Sequence, residues 1–303
     1  MDVFEYFDLK KDTKSIYKYA PVYKSIIDTE EVIIKRTKEQ TDRLANLLTW
    51  QQTIKGSGIE TILPIAFKKK FYHSIGTENW VVYPFIKGNK YQANEEQIHG
   101  AGELLGRIHA TSDSVFEHGF SWENYDGEFY DEVAEDIQII SKCYPTEFNS
   151  HEGQKLFRAI ALEASKRFSN LARQELPTSD CTWDFKASNL VYQTNKPVLI
   201  DTDNAGKVPR IFDLSLALLL FHTCEDSAPN RVFTPEEWEL FLSGYKKHIQ
   251  MTEIEKESWQ SMLLLVYADE VLWAINDLDE DESDRQKDFI RNLVTFNAHQ
   301  YTI

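Results

Sequence analysis

The chain has 303 residues, 42% of them hydrophobic, with 49 acidic against 33 basic side chains and a net charge of −16. This length allows two lobes with ample core. The acidic balance argues against a nucleic-acid partner, which a binding protein meets with a basic face, and the longest apolar runs, LSLALLLF and MLLLVYA, are too short to span a membrane. The opening residues MDVFEYFDLKKD lack the basic-then-apolar order of a secretory signal. The 3 cysteines (Cys143, Cys181 and Cys224) show no metal-ligand spacing. A cytoplasmic protein is the expectation.

The first ninety residues read as strand-rich. SIYKYAPVYKSII and EEVIIKRT are β-branched and aromatic runs separated by the turn signal DTEE. A helix follows over about 39–55, with Leu44, Leu47, Leu48 and Ile54 on one face. ILPIAFKKKFYH and TENWVVYPFI read as two further strands around SIGT. The rest is mostly helical. EEQIHGAGELLGRIHA sets Ile98, Ala101, Leu104, Leu105 and Ile108 at helical spacing, and further helices are expected near 131–143, 151–173, 212–223, 235–249, 252–277 and 284–299. The acidic run DLDEDESD reads as a solvated connection. The predicted class is α+β: residues 1–88 form a small sheet lobe with one helix, and residues 89–303 form a larger helical lobe.

One interruption in the helical part carries the chemistry. Between Thr182 and Leu214 the chain reads TWDFKASNLVYQTNKPVLIDTDNAGKVPRIFDL. Asp184 is followed five positions later by Asn189, then by two short strands joined by a turn, with Asp201 at the exit. An isolated D-x-x-x-x-N is uninformative in so acidic a chain, because Asp in turns is commonly a cap. The whole constellation is not. Phosphoryl transfer of the kinase type needs one carboxylate at the acceptor hydroxyl, Asp184, and oxygen ligands for Mg²⁺, Asn189 and Asp201, on the nucleotide side.

The nucleotide needs its own contacts. Lys35 ends the strand EVIIK, where a strand lysine reaches α- and β-phosphates; Arg36 points to the opposite face. The partner of Lys35 stays open: no Glu lies between Gln40 and Ile59, Glu39 is close to the helix start, and Asp42 is shorter. Tyr83, Pro84, Phe85 and Ile86 form the hinge whose backbone would meet the base. The hairpin YKYAPVYKS has no glycine, so the turn over the phosphates must use other backbone geometry. His109 is expected to brace the catalytic loop rather than react.

The strings LLGRIH, YPFIKG, WDFKASNLV, IDTDNAG and FDLSLA resemble the aminoglycoside phosphotransferase family of the protein-kinase-like superfamily, which includes choline, homoserine and fructosamine kinases. The resemblance covers about residues 16 to 223. It implies a two-lobed kinase that moves the γ-phosphate of ATP or GTP, with Mg²⁺, to a small-molecule hydroxyl. By motif, Asp184 resembles the catalytic aspartate, Asn189 and Asp201 the metal ligands, Lys35 the phosphate-binding lysine and Asp213 the aspartate supporting the loop. The family loop begins His-Gly-Asp, whereas this chain has Thr182-Trp183-Asp184, so Trp183 demands space and a different backbone angle. Lys186 stands where a histidine is common and is placed to contact the γ-phosphate.

The acceptor is expected to be cationic, such as an aminoglycoside-like antibiotic received by Glu132, Glu135, Asp136, Asp269 and Glu270. The alternatives are a metabolic amino alcohol or sugar, with Trp259, Tyr267 and Trp273 either caging a quaternary amine or filling the core, and a nucleotide-binding module without turnover.

Overall fold

In the computed structural model every residue is described except 1, 11, 18–19, 38, 112–113, 118–119, 126, 167, 273–274 and 276–283; the side chains at 41, 165 and 286 are likewise outside the description. Trp273 and nearly all of the acidic run therefore lie outside the described residues. The helix α1 (Val3–Tyr6) lies against a four-stranded antiparallel sheet of order β1-β2-β4-β3, built from β1 (Val22–Ile27), β2 (Glu30–Thr37), β3 (Tyr72–Ile75) and β4 (Glu78–Pro84). Asp28 and Thr29 both take positive φ, 48° and 74°, which gives the tight turn between β1 and β2 its hand.

Strand alternation then decides where the chemistry points. Val32 and Ile34 are fully buried with Phe7, Trp80 and Val82 in a small outer core. Ile33 and Lys35 face the other way, and the register pairs them with Tyr83 and Val81 of β4. Arg36 points outward to Glu78, as its parity requires.

Two expected strand stretches take other forms. Residues 15–17 and 20–21 are not strand and are held by Ser15: its hydroxyl donates to the carbonyls of Tyr17 and Ala20 and accepts from the Val22 N–H. Residues 62–71 are not a strand. Pro64 lacks a ladder donor, Lys68 and Lys69 adopt left-handed backbone, and Phe67 and Lys70 close a turn with mutual hydrogen bonds of 2.9 Å. Helix α2 (Thr41–Gly56) buries Leu44, Leu47, Trp50 and Ile54 against the second, larger core.

The helical part comprises α3 (Glu95–His109), α4 (Gly127–Cys143), α5 (Pro145–Phe148), α6 (His151–Lys166), α7 (Phe168–Leu171), α8 (Arg210–Leu220), α9 (Pro235–Tyr245), α10 (Glu253–Val266) and α11 (Asp284–Val294). Helix α3 starts at Asn94, whose side chain accepts from the Gln97 N–H, and packs closely on α9. A Cβ at Gly102 would stand 1.9 Å from the Phe241 carbonyl oxygen, so only glycine permits this approach. Helix α8 is tied to α10 by a bidentate pair in which Arg210 donates at 3.0 and 2.8 Å to the fully buried Glu255. The long helix expected over 252–277 turns π-helical at Tyr267–Val271.

Two small antiparallel pairs sit between these layers. β6 (Leu190–Gln193) and β7 (Lys196–Leu199) form the expected hairpin. β5 (Thr178–Cys181) pairs with β8 (Gly206–Pro209), a long-range pairing that adjacent sequence does not signal. The fold is α+β. Among the described residues no helix is long and apolar enough to cross a membrane.

Candidate active site

The loop from Thr182 to Asn189 is held from below. Asp213 on α8 is fully buried, and its Oδ2 accepts from His109 Nε2 at 3.0 Å and from the Thr182 hydroxyl at 3.3 Å. His109 completes the chain by accepting from the Tyr245 hydroxyl at 2.9 Å. His109 is thus a brace between α3, α9 and the loop. His109, Cys181 and Asp213 are also close enough to one another to hold a metal ion. However, the His109 Nε2 that faces this cluster is already engaged by Asp213 Oδ2, and burial pushes the Cys181 thiol well up, against thiolate character.

Above the brace, Trp183 occupies left-handed backbone at φ 53°. Its ring fits because Gly206 lies beside it: a Cβ there would approach the indole Cε3 to 3.1 Å. Asp184 follows, half-buried. Its Oδ1 pairs with Lys186 at 2.8 Å; its Oδ2 accepts from Asn189 at 3.1 Å and from Asn204 at 3.4 Å. Asn189 also donates to the Asp184 carbonyl at 2.9 Å, closing the loop on itself. Burial raises the Asp184 carboxyl and Asp201 adds to this, while Lys186 and Asn189 pull it down; the net direction is up.

Asp201 leaves β7 and meets Lys35 at 2.6 Å, and Asp203 reaches the same ammonium at 3.1 Å. This answers the open question of the lysine's partner. Glu39 pairs with Arg43 instead, and Asp42 is exposed. Burial raises Asp201, but Lys35 outweighs it and the carboxyl ends below the usual range. Asp203, raised by burial and by the neighbouring Asp201 charge against the pull of Lys35, ends above it. Lys35 itself is raised: burial opposes its charge, and the two aspartates more than compensate.

Lys35, Asn189 and Asp201 line one cavity of about 220 Å³ together with Tyr83, Pro84, Phe85 and Ile86. Ile33, Ile62 and Ile200 add apolar wall suited to a flat ring. The Phe85 N–H is already bound to the Glu31 carbonyl, so of the hinge residues Phe85 lends its position, not its amide. Asp184 stands at the cavity's edge, joined through Asn189. Sequence reasoning missed Asp203, though it stands two residues past Asp201, and Tyr17, which lines the cavity from the Ser15-held loop and feels Lys186, Asp184 and Asp201. The Ser188 hydroxyl also lines the cavity; it is buried and has no hydrogen-bond partner among the described residues.

Other expected residues are distributed differently. Trp259 and Tyr267 are buried core, with the indole N–H donating to the Tyr301 carbonyl and the phenol to the Leu293 carbonyl. They cannot form a cage around a ligand. Glu132 and Glu135 are exposed on α4. Asp269 and Glu270, on the π-helical turn, are half-buried, and Glu270 lies within electrostatic reach of Asp184 and Lys186.

Residues 20–250 match the phosphotransferase enzyme family, APH. The chain belongs to this family. Among solved structures, the amicoumacin kinase hAmiN in complex with AMP-PNP, Ca²⁺ and Ami superposes with a TM-score of 0.66 at 17% identity, covering 99% of this chain and 97% of that one. Spectinomycin phosphotransferase, APH(9)-Ia, in complex with ADP and spectinomycin gives 0.66 at 19% identity, covering 95% and 92%. The choline kinase LicA from Streptococcus pneumoniae gives 0.58 at 15% identity, covering 93% and 92%. These likenesses show a protein-kinase-like fold. No curated protein sequence matches the chain. As an APH-family member the protein is a small-molecule phosphotransferase of the kinase type.

Proposed function

We propose that this phosphotransferase moves the γ-phosphate of ATP or GTP, with Mg²⁺, to a hydroxyl of a small cationic molecule. We place the boundary between its nucleotide-binding and acceptor-binding lobes after Gly88. The observation that carries the proposal is the convergence of Lys35, Asn189, Asp201 and the hinge residues on one cavity with Asp184 at its edge. The donor set suits a hard cation: Asn189 and Asp201 offer oxygen only. The orphaned Ser188 hydroxyl and the apolar walls suit a nucleotide. Bound there, Mg²⁺ would neutralise charge on the phosphates.

The chain's own residues then have distinct tasks. Asp184 orients the acceptor hydroxyl and takes its proton at Oδ2 or Oδ1 as the bond to phosphorus forms. Lys186, now on Asp184 Oδ1, is placed to turn toward the transferred phosphoryl group. Lys35 leaves Asp201 for the phosphates, freeing that carboxylate for Mg²⁺. Ile33, Ile62 and Ile200 would flank the base, with Ile86 of the hinge at the same cavity wall. Tyr17 covers the phosphate end, where a glycine-rich turn is lacking.

The test is transfer of labelled γ-phosphate from Mg²⁺-ATP and Mg²⁺-GTP to a panel of aminoglycosides, amino alcohols, choline and sugars. Transfer to one acceptor, lost in Asp184→Asn, supports the proposal. Nucleotide binding with no transfer to any hydroxyl would leave a binding module and reject the enzyme.

A further inference from the structure

A continuous row of aromatic rings leads away from Trp183, the neighbour of Asp184, and none of them lines the nucleotide cavity. Trp183 neighbours Phe120 at 6.4 Å between ring centroids; Phe120 neighbours Trp122 at 4.8 Å and Tyr125 at 5.6 Å; Tyr125 neighbours Phe129 at 4.9 Å. All five rings are half-buried, so each keeps surface to offer. The segment is anchored: the Asp180 carboxylate accepts from the Val115 N–H at 2.6 Å, and the Phe120 N–H donates to the Lys207 carbonyl. Trp183 is held in left-handed backbone that a glycine would adopt without strain, and such strain is characteristic of functional sites.

The π-helical turn, a feature that recurs at functional sites, borders this surface through Asp269 and carries the half-buried Glu270 next to it in the chain. Asp269 is committed, accepting from the Tyr125 hydroxyl at 2.8 Å. Among the described residues Glu270 has neither a hydrogen bond nor an ion pair, yet it shares the electrostatic neighbourhood of Asp184 and Lys186. One free carboxylate beside aromatic faces accommodates one ammonium and an apolar body; a polycation would need several carboxylates in water.

Resting on the kinase function proposed above, we infer that the acceptor is a small amine-bearing alcohol with an aromatic or similarly flat apolar body, its hydroxyl at Asp184, its ammonium at Glu270 and its body along Trp183, Phe120 and Trp122. Trp183 and Glu270 are then the specificity-determining residues. A glycine at 183 would leave the body without its wall next to the reacting hydroxyl. A neutral side chain at 270 would leave the ammonium without its counter-charge.

The test is calorimetric binding to the full chain saturated with AMP-PNP and Mg²⁺. The probes are phenylalaninol, 2-phenylethylamine, 3-phenylpropan-1-ol, choline and kanamycin; the second lacks a hydroxyl and so reports binding apart from transfer. The two aryl amines bind at least about tenfold tighter than 3-phenylpropan-1-ol and choline. Glu270→Gln weakens the aryl amines by about tenfold and leaves 3-phenylpropan-1-ol unchanged. Trp183→Gly weakens all three aryl compounds, Trp183→Phe restores them, and AMP-PNP affinity is the same in each variant. Equal binding of charged and uncharged aryl probes, tighter binding of kanamycin than of either aryl amine, or indifference to Glu270→Gln would overturn the inference while leaving the kinase function standing. Failure of the unmodified chain to bind AMP-PNP would overturn both.

Discussion

Asp184 has both carboxylate oxygens engaged, and its burial sets the pH at which it works. The base must be ionised, so kcat falls as pH drops through its raised pKa, and the acid limb lies above the ordinary aspartate range. Lys186→Met removes the cation that lowers this pKa and moves the limb to higher pH; a kcat–pH profile that does not move would exclude that coupling. Asp184→Asn lowers kcat by roughly 10²–10⁴-fold with nucleotide affinity nearly intact, and full turnover in that variant would assign the base elsewhere. A second pH effect belongs to Glu270, whose carboxyl is pushed up to about 7 by burial, Asp269 and Asp184 against the pull of Lys186. An ammonium acceptor needs it ionised, so acceptor KM climbs as pH drops through about 7 and does so less steeply in Glu270→Gln. Asp184, Asn189 and Asp201 were legible in the sequence because their spacing is local and their chemistry demands it. Tyr17 was not, because its neighbours at the site are brought to it only by tertiary folding. Asp203 was obscured by Asp201 two residues earlier, which alone was read as functional.

The helices α3 and α9 approach closely enough that a single methyl group is felt. Gly102→Ala places a carbon against the Phe241 carbonyl and is expected to destabilise by about 1–3 kcal/mol or more, read as a lower denaturant midpoint at unchanged m-value. A midpoint equal to that of the unmodified protein would mean that the helices can part without cost. His109→Ala leaves the buried Asp213 carboxylate with only Thr182, a loss of roughly 3–5 kcal/mol by the same measurement. At this scale the sequence was readable where periodicity is strong, as in α3 with Ile98, Leu105 and Ile108, or where alternation sorts Lys35 from Arg36. It misled where β-branched and aromatic runs are diverted by local chemistry. Ser15 holds Tyr17 and Ala20 out of a strand, with Ile16 and Tyr17 at the cavity, and Lys68 and Lys69 turn the chain back. The π-helical turn that aims Asp269 and Glu270 leaves no mark in hydrophobic spacing, because its backbone change keeps Tyr267 and Val271 buried.

Across the whole molecule, a sheet on which β2 carries Lys35 and a helical body carrying Asp184, Asn189 and Asp201 meet around one cavity. The ion pairs from Lys35 to Asp201 and Asp203 join residues far apart in sequence across that meeting. The fold class was legible from the change of period after the strand WVVYPFI. The pairing of β5 with β8, which sets Gly206 beside Trp183, was not, since four-residue strands separated by a hairpin carry little pattern. In the proposed kinase Lys35 and Asp201 serve nucleotide and Mg²⁺ rather than only each other. The most direct measurement is calorimetric titration of AMP-PNP, with and without Mg²⁺, into the unmodified protein and into Asp201→Ala and Lys35→Met. The expected result is Mg²⁺-dependent binding that both substitutions weaken by at least about tenfold, the loss of about 1.4 kcal/mol expected for a phosphate or metal contact. Binding unaffected by Mg²⁺ and by either substitution would contradict it.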